Sequence, residues 1–149
     1  MPVVKNAEAR EIPWRPGYRN YVLAGEAEGV SVSSSLAILE QGAGAPLHFH
    51  EEVDEVIVVL DGTLDLRIGD ERFLVGKDQT ISIPARTPHA FTVVSPEGAR
   101  FIAFLPRQGA HLATKYIEGR SASGLRLMAA ATSSGLNPSV FSPSETIRR

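Results

Sequence analysis

The sequence predicts an all-β domain, a sandwich or a barrel, preceded by an irregular arm and followed by a polar tail. Short runs of β-forming residues fill the middle of the chain, and turn signals separate these runs at short intervals. Only one segment of the chain looks helical. Many short strands joined by regular turns are typical of two-sheet and closed-sheet all-β architectures.

The chain divides into three regions that differ in composition and predicted strand content. Residues 1–29 form an irregular arm with one short strand candidate at Tyr21–Ala24, residues 30–120 hold the β-rich barrel, and residues 121–149 form a tail rich in Ser, Ala and Pro. A chain of 149 residues suits one domain. A domain of this size buries enough surface to fold without disulfides.

The strand candidates of the barrel follow one another closely. Leu64, Leu66 and Ile68 alternate with polar residues, which indicates a strand with one buried face. Asp61-Gly62 is a strong hairpin-turn signal, and Gly69-Asp70 marks a second two-residue turn. The other strand candidates are Val32–Ile38, Glu71–Val75, Thr80–Ile83, Ala90–Val94 and Arg100–Leu105. The helix candidate comes after them, at Gly109–Glu118.

Two further runs are apolar on both faces. A strand with one wet face alternates, so the unbroken apolar runs Val56–Leu60 and Phe101–Leu105 need cover on both sides. The barrel interior covers one side. A second sheet, the arm or another subunit covers the other, and we therefore expect a homodimer.

Composition narrows the classes of function. The chain has no cysteine, which excludes thiolate metal sites, a Cys nucleophile and iron–sulfur clusters. The net charge is -2 and Lys and Arg are scattered, so we expect no nucleic-acid partner. No apolar run approaches the roughly 20 residues of a membrane helix, and the N-terminal segment lacks a signal-peptide core. We expect a soluble cytoplasmic protein with no membrane partner.

The histidines carry the strongest chemical signal. His48 and His50 are two positions apart, and alternate side chains of a strand share a face, so both imidazoles can reach one ion. Pro84 and Pro88 restrict the backbone of the segment before His89, which suits a side chain that must point in one fixed direction. The alternative is that these are ordinary surface or loop histidines.

Glu55 is the candidate carboxylate. It lies an odd number of residues from His50, so a bend through Glu51–Asp54 is needed to bring both side chains to one face. Glu55 then begins the apolar strand, where a carboxylate is costly unless it is paired or bound to a metal. One of the acidic residues within the bend is the alternative ligand.

The first metal-ligand segment carries a family resemblance. His48 to Gly62 reads HFHEEVDEVIVVLDG and is preceded by Gly42. This resembles the first motif of the cupin family, G-x5-H-x-H-x4-E-x6-G, at every fixed position. The resemblance extends from about Leu36 to Leu105.

The second cupin motif, G-x5-P-x-G-x2-H-x3-N, is matched less fully. Pro84 and His89 stand at its Pro and His. Asp78 and Arg86 stand where the motif has its two glycines, and Val93 replaces the Asn. The second motif nevertheless supplies the one ligand that the first lacks.

The resemblance implies a double-stranded β-helix (jelly-roll) cupin barrel with an N-terminal arm and a short C-terminal helix and tail. It implies one divalent metal ion per chain, Fe, Mn, Ni, Cu or Zn, bound by His48, His50, Glu55 and His89. The similarity to quercetin-dioxygenase-like cupins implies a dioxygenase for a small chelating enol or phenol, with Glu55 also available as general base. The alternatives are a non-redox isomerase, decarboxylase or lyase, and a non-enzymatic cupin that binds a small ligand or metal.

Five residues around the predicted site have open roles. Arg86 either grips a carboxylate or enolate substrate or points to water. Phe91 shares a face with His89 and either lines the pocket or belongs to the core. Trp14 and Tyr18 either close the barrel mouth or pin the arm to the surface, and His111 is expected to be exposed.

Overall fold

The structure, a computed structural model, describes residues 3–107, 109 and 113–117. In this part of the chain there are eleven strands and two single-turn 3-10 helices. The strands are β1 (Arg10–Arg15), β2 (Tyr18–Ala24), β3 (Ser33–Leu39), β4 (Gly44–His50), β5 (Glu55–Asp61), β6 (Thr63–Ile68), β7 (Glu71–Gly76), β8 (Thr80–Ile83), β9 (His89–Val93), β10 (Ala99–Leu105) and β11 (Thr114–Tyr116). The 3-10 helices are Asn6–Glu8 and Glu26–Glu28.

The strands form two antiparallel sheets. One sheet has six strands in the order β1-β2-β3-β10-β5-β8, and the other has five in the order β11-β4-β9-β6-β7. Alternate residues of both sheets point inward and form one apolar core. Its most buried members include Ala37, Ile57, Val59, Leu64, Leu66, Phe91, Val93 and Phe101. The predicted all-β jelly-roll class is confirmed.

The two predicted turns have different outcomes. Gly69-Asp70 joins β6 and β7 as a hairpin, with Ile68 opposite Glu71. Asp61-Gly62 is a tight turn but not a hairpin, because β5 and β6 lie in different sheets. Gly62 has a φ of 81°, and a Cβ there would lie 2.1 Å from the carbonyl oxygen of Gly98. Only glycine fits this corner between the sheets.

The N-terminal arm is more ordered than its composition suggests. Its predicted strand at Tyr21–Ala24 is part of β2, and β1 pairs with β2 as a hairpin that extends the six-stranded sheet. Pro13 is tolerated because β1 is an edge strand, where a missing backbone donor costs no ladder hydrogen bond. The division into arm, barrel and tail stays a prediction.

The prediction of a helix at Gly109–Glu118 is wrong where the structure describes that segment. Thr114–Tyr116 forms β11, which pairs with β4. Pairing with the open edge of β4 overrides the local preference, and Thr and Tyr suit a strand. His111 and residues 121–149 lie outside the described residues. Among the helices that are described, none is long and apolar enough to cross a membrane.

Candidate metal centre

The structure brings the four predicted ligands together. One ligand atom from each of His48, His50, Glu55 and His89 lies within 4.8 Å of all the others. The three histidines are buried, and Glu55 has a side chain that is 13% exposed. Residues far apart in the chain therefore converge on a volume that suits one ion.

Strand pairing explains this convergence. His48 and His50 lie on the inward face of β4, and His48 is directly opposite His89 at the start of β9. The chain bends after β4, as predicted, and Glu55 then begins β5 in the facing sheet. Oε2 of Glu55 lies 3.0 Å from Nε2 of His50 and 3.3 Å from Nε2 of His89.

Each of the three imidazoles is held through its Nδ1 atom. Nδ1 lies 2.6 Å from the Pro46 carbonyl in His48 and 2.9 Å from the Thr87 carbonyl in His89. A carbonyl only accepts, so Nδ1 of both residues carries the proton and donates it. The Thr114 hydroxyl lies 2.9 Å from Nδ1 of His50. In His48 and His89 these contacts leave the Nε2 lone pair free for a metal, which is the arrangement typical of metal-binding histidines. In His50 a metal would replace the 3.0 Å contact between Nε2 and Glu55.

Protonation states also suit a cation. Burial, reinforced by the neighbouring His89, lowers the pKa of His48 to about 3, so this imidazole is neutral at physiological pH. Burial acts to raise the pKa of Glu55, but the hydrogen bond with His50 and the electrostatic effect of the nearby His50 and His89 imidazoles outweigh it and hold that pKa below the ordinary value. The site therefore offers a neutral donor and an ionised carboxylate.

The other acidic residues near Glu55 are engaged elsewhere. Asp54 accepts a hydrogen bond of 2.8 Å from the backbone N–H of Ala85. Glu51 pairs with Lys115, and Glu52 pairs with Arg107. The alternatives to Glu55 as carboxylate ligand thus point away from the histidines.

One atom tests directly whether a metal fits. Nε2 of His89 is buried and has no hydrogen-bond partner, because its contact with Glu55 lacks hydrogen-bond geometry. A buried nitrogen without a partner is unfavourable unless something else satisfies it. A divalent metal would do so, and three imidazoles with one carboxylate suit Fe, Mn, Ni, Cu or Zn.

Strand β11 supports the ligands, and no pattern in the sequence indicates this role. Thr114 contacts His50, and the ring of Tyr116 stacks on His48 with centroids 5.4 Å apart. The guanidinium of Arg15 lies 5.4 Å from the centre of the Tyr116 ring. Both ligands of β4 are therefore backed by residues that lie beyond the last predicted strand.

The four candidate ligands line a cavity of about 440 Å³. This volume is within the range of pockets that hold small organic molecules. Its apolar wall includes Trp14, Ile57, Phe91 and Phe101. Phe91 thus both lines the cavity and belongs to the core.

Tyr18 also lines this cavity and contacts Trp14, Phe91 and Phe101 through its ring. Burial and then the negative charge of Glu55 raise the pKa of its phenol, which therefore stays neutral and can donate a hydrogen bond. The sequence left open whether Tyr18 closes the barrel mouth or holds the arm on the surface, because its position beside the ligands depends on the pairing of β2 with β3.

Arg86 does not line the cavity, and its side chain is exposed. Its backbone has a φ of 62°, and Asp78 has a φ of 64°. These are the two positions where the second cupin motif has glycine, and they are the two non-glycine residues with positive φ in the described chain. The left-handed backbone conformation explains why the motif has glycine at these positions. This chain keeps the left-handed conformation although Asp78 and Arg86 replace the glycines. Val93, in place of the motif Asn, is buried in the core.

Comparisons with known proteins agree with this geometry. Residues 35–105 match the cupin domain family. Over 55 residues the chain is 42% identical to quercetin 2,3-dioxygenase of Bacillus subtilis, covering 37% of this chain and 16% of that protein. Over 70 residues it is 33% identical to the polyketide synthase CurC of Streptomyces cyaneus, covering 47% of this chain and 46% of that protein. The chain thus spans less than half the length of these two relatives.

Solved structures show the same fold. The polyketide cyclase RemF of Streptomyces resistomycificus superposes with a TM-score of 0.63 at 24% identity, covering 71% of this chain and 79% of that chain. The family match and the fold together show that the chain carries a cupin domain.

Proposed function

We propose that the protein is a metal-dependent dioxygenase that acts on a small chelating substrate of the enol or phenol type. The observation that carries the proposal is the convergence of three imidazoles and one carboxylate in the wall of a cavity of about 440 Å³. The stretch that is 42% identical to quercetin 2,3-dioxygenase supports this substrate class.

His48, His50, Glu55 and His89 would hold one divalent ion. The ion would supply Lewis acidity toward the enol oxygens and, if it is redox-active, electrons for dioxygen chemistry. The Nδ1 contacts keep the imidazoles oriented while substrate binds. The Tyr18 phenol, beside Glu55, donates a hydrogen bond to a substrate oxygen.

Glu55 has a second role in this proposal. Its carboxylate is ionised, and as a general base it would accept the proton that the substrate hydroxyl loses. Phe91 and Phe101 form an apolar wall that excludes water from the reacting atoms. Arg86 lies outside this wall, and any role in binding substrate would require its side chain to move.

Oxygen consumption tests the proposal. Protein loaded in turn with Fe, Mn, Ni, Cu and Zn is mixed with a flavonol, a β-diketone or an enediol, and dioxygen uptake is followed with an electrode. We expect uptake that depends on a redox-active metal and is lost in His89→Gln. If the metal binds but no substrate of these three classes consumes dioxygen, the dioxygenase proposal is wrong.

The relatedness to a polyketide synthase favours a second candidate. The same metal centre would act as a Lewis acid in non-redox isomerase, lyase, decarboxylase or cyclase chemistry on an enolic substrate. Turnover that persists with Zn and without dioxygen would favour this candidate over the dioxygenase. A non-enzymatic binding role would be favoured if ligands bind at the site and stay unchanged.

We also propose that the protein is a homodimer formed through the outer face of the six-stranded sheet. β10 and β5 are neighbours in this sheet, and Ile102 pairs with Val58 on the outward face. Phe104 is 42% exposed and Ile38 is 37% exposed on the same face.

Light scattering should give a dimer mass for the wild type and a monomer mass for Phe104→Glu. The control is Val3→Glu, which changes an exposed residue outside the sheets; a monomeric wild type would overturn the proposal.

A further inference from the structure

The N-terminal arm builds one wall of the candidate active-site cavity. β1, β2 and the 3-10 helix Glu26–Glu28 contribute lining residues beside the four candidate ligands. This wall precedes the segment that matches the cupin family, residues 35–105. Its chemistry therefore belongs to this chain and is independent of the two cupin motifs.

Asn20 is a polar side chain in an apolar setting. On the inward face of the sheet, Asn20 pairs with Ala37, Ala37 with Phe101, and Phe101 with Val59. The last three are core residues at 1% exposure or less. The Oδ1 atom of Asn20 is buried and has no hydrogen-bond partner. An unpaired buried amide oxygen destabilises the fold, so its presence in the cavity wall needs another explanation.

Glu28 repeats this pattern from a different element. It lies in the 3-10 helix that follows β2, and its Oε2 atom is also buried without a partner. Three unpartnered buried atoms therefore line one cavity, namely Oδ1 of Asn20, Oε2 of Glu28 and Nε2 of His89. For His89 the metal of the proposed function would supply the missing partner. The other two atoms are hydrogen-bond acceptors, so a donor group in the cavity would satisfy them.

We propose that Asn20 and Glu28 form an acceptor subsite that binds hydroxyl groups of the substrate. This inference rests on the proposed function and specifies its substrate class. The substrate chelates the metal at one end and carries phenolic hydroxyls at the other, so it is a polyhydroxylated phenol. The Glu28 carboxylate disfavours substrates with an acidic group at that end.

The sheet order sets the span of such a substrate. β2 carries Asn20 and β5 carries Glu55, and β3 and β10 lie between them. Three strand spacings of about 4.8 Å give roughly 14 Å across the sheet, and Glu55 lies a further four residues, about 13 Å, along β5 from Val59, which shares a row with Asn20. The two groups are therefore roughly 20 Å apart along the curved sheet. A substrate that reaches both groups across the concave face must be extended, with at least two linked ring systems, and a single small ring reaches only one of them.

Two flavonols that differ only in the hydroxyls of one ring provide the test. Quercetin has two hydroxyls on that ring and galangin has none, while both carry the same chelating end. Trp14 is the single tryptophan of the chain and lines the cavity, so quenching of its fluorescence reports binding to metal-loaded protein. We expect the wild type to bind quercetin about tenfold more tightly than galangin, as the hydrogen bonds to an amide and a carboxylate imply.

The variants Asn20→Leu and Glu28→Leu should each lose most of this preference and keep the wild-type affinity for galangin. Glu26→Leu is the control, since Glu26 lines the cavity from the same 3-10 helix but is exposed. Asn20→Leu should also resist urea at least as well as the wild type, because it removes an unpaired buried oxygen.

The outcomes separate this inference from the proposed function. Equal affinity of the wild type for both flavonols would overturn the subsite and leave the proposed function standing. Binding of neither flavonol would also overturn the subsite, and oxygen uptake with the β-diketone and the enediol would then decide whether the proposed function stands. Marked destabilisation by Asn20→Leu would show that the amide has a structural partner, and it would overturn the subsite.

Discussion

Replacing Arg86 with glycine should stabilise the protein. Arg86 has a φ of 62°, in the left-handed region where a residue with a Cβ is disfavoured by about 1–2 kcal/mol. Glycine removes this strain but increases the conformational entropy of the unfolded chain, which costs about 0.4–1 kcal/mol. The backbone N–H of Arg86 donates to the His50 carbonyl at 2.7 Å, and glycine keeps that bond. The expected net gain is about 1 kcal/mol in the free energy of unfolding.

Urea denaturation of Arg86→Gly measures this gain as a higher midpoint with an unchanged slope. Asp78→Gly is the matched control, because Asp78 has a φ of 64° but Asp tolerates the left-handed region better. Its expected gain is close to zero. If Arg86→Gly leaves the stability unchanged or lowers it, the argument that strain explains the motif glycine is wrong.

Three further predictions follow from the same structure. Thr114→Val removes the hydroxyl beside Nδ1 of His50 and should weaken metal affinity about tenfold in a chelator competition, whereas unchanged affinity would contradict the supporting role of β11. Metal-free protein should lose about 1.5 kcal/mol of stability between pH 6.5 and pH 5, because the pKa of His48 is lowered to about 3 and the unfolded chain takes up the proton first. The lowered pKa of Glu55 adds to this loss only below its ordinary value of 4.5, and His48→Gln should lack the steeper slope if the reasoning holds. Gly62→Ala should cost more than about 2 kcal/mol, because its φ is 81° and its Cβ would strike the Gly98 carbonyl. Gly42→Ala, at a φ of 84° but in open space, should cost about 1 kcal/mol. Equal losses of stability in urea would refute the steric argument.

The sequence predicted the strands of the barrel and the four residues that converge. Alternation at Leu64 and Leu66 reflects burial of one face, which is a local property that a sequence displays. The candidate ligands could be predicted because strand periodicity relates His48 to His50 and because the first motif has many fixed positions. The bend before Glu55 was predicted from the same face argument.

The features that the sequence did not predict depend on pairing between distant segments. β11 forms against β4, and the contact between Thr114 and His50 joins residues 64 positions apart. No local pattern distinguishes such a strand from a helix. The two motif departures at Asp78 and Arg86 concern backbone angles, and the side-chain pattern does not reveal that a left-handed turn persists without glycine.

Metal content measured on unsupplemented protein tests the central claim most directly. The wild type, purified without added metal and analysed by mass spectrometry, should contain close to one equivalent of Fe, Mn, Ni, Cu or Zn per chain. His48→Ala should lose this metal, and His111→Ala, which changes the remaining histidine of the sequence, should retain it. Equal metal content in all three proteins, or none in a folded wild type that also fails to bind added metal, would contradict a metal centre at these four residues.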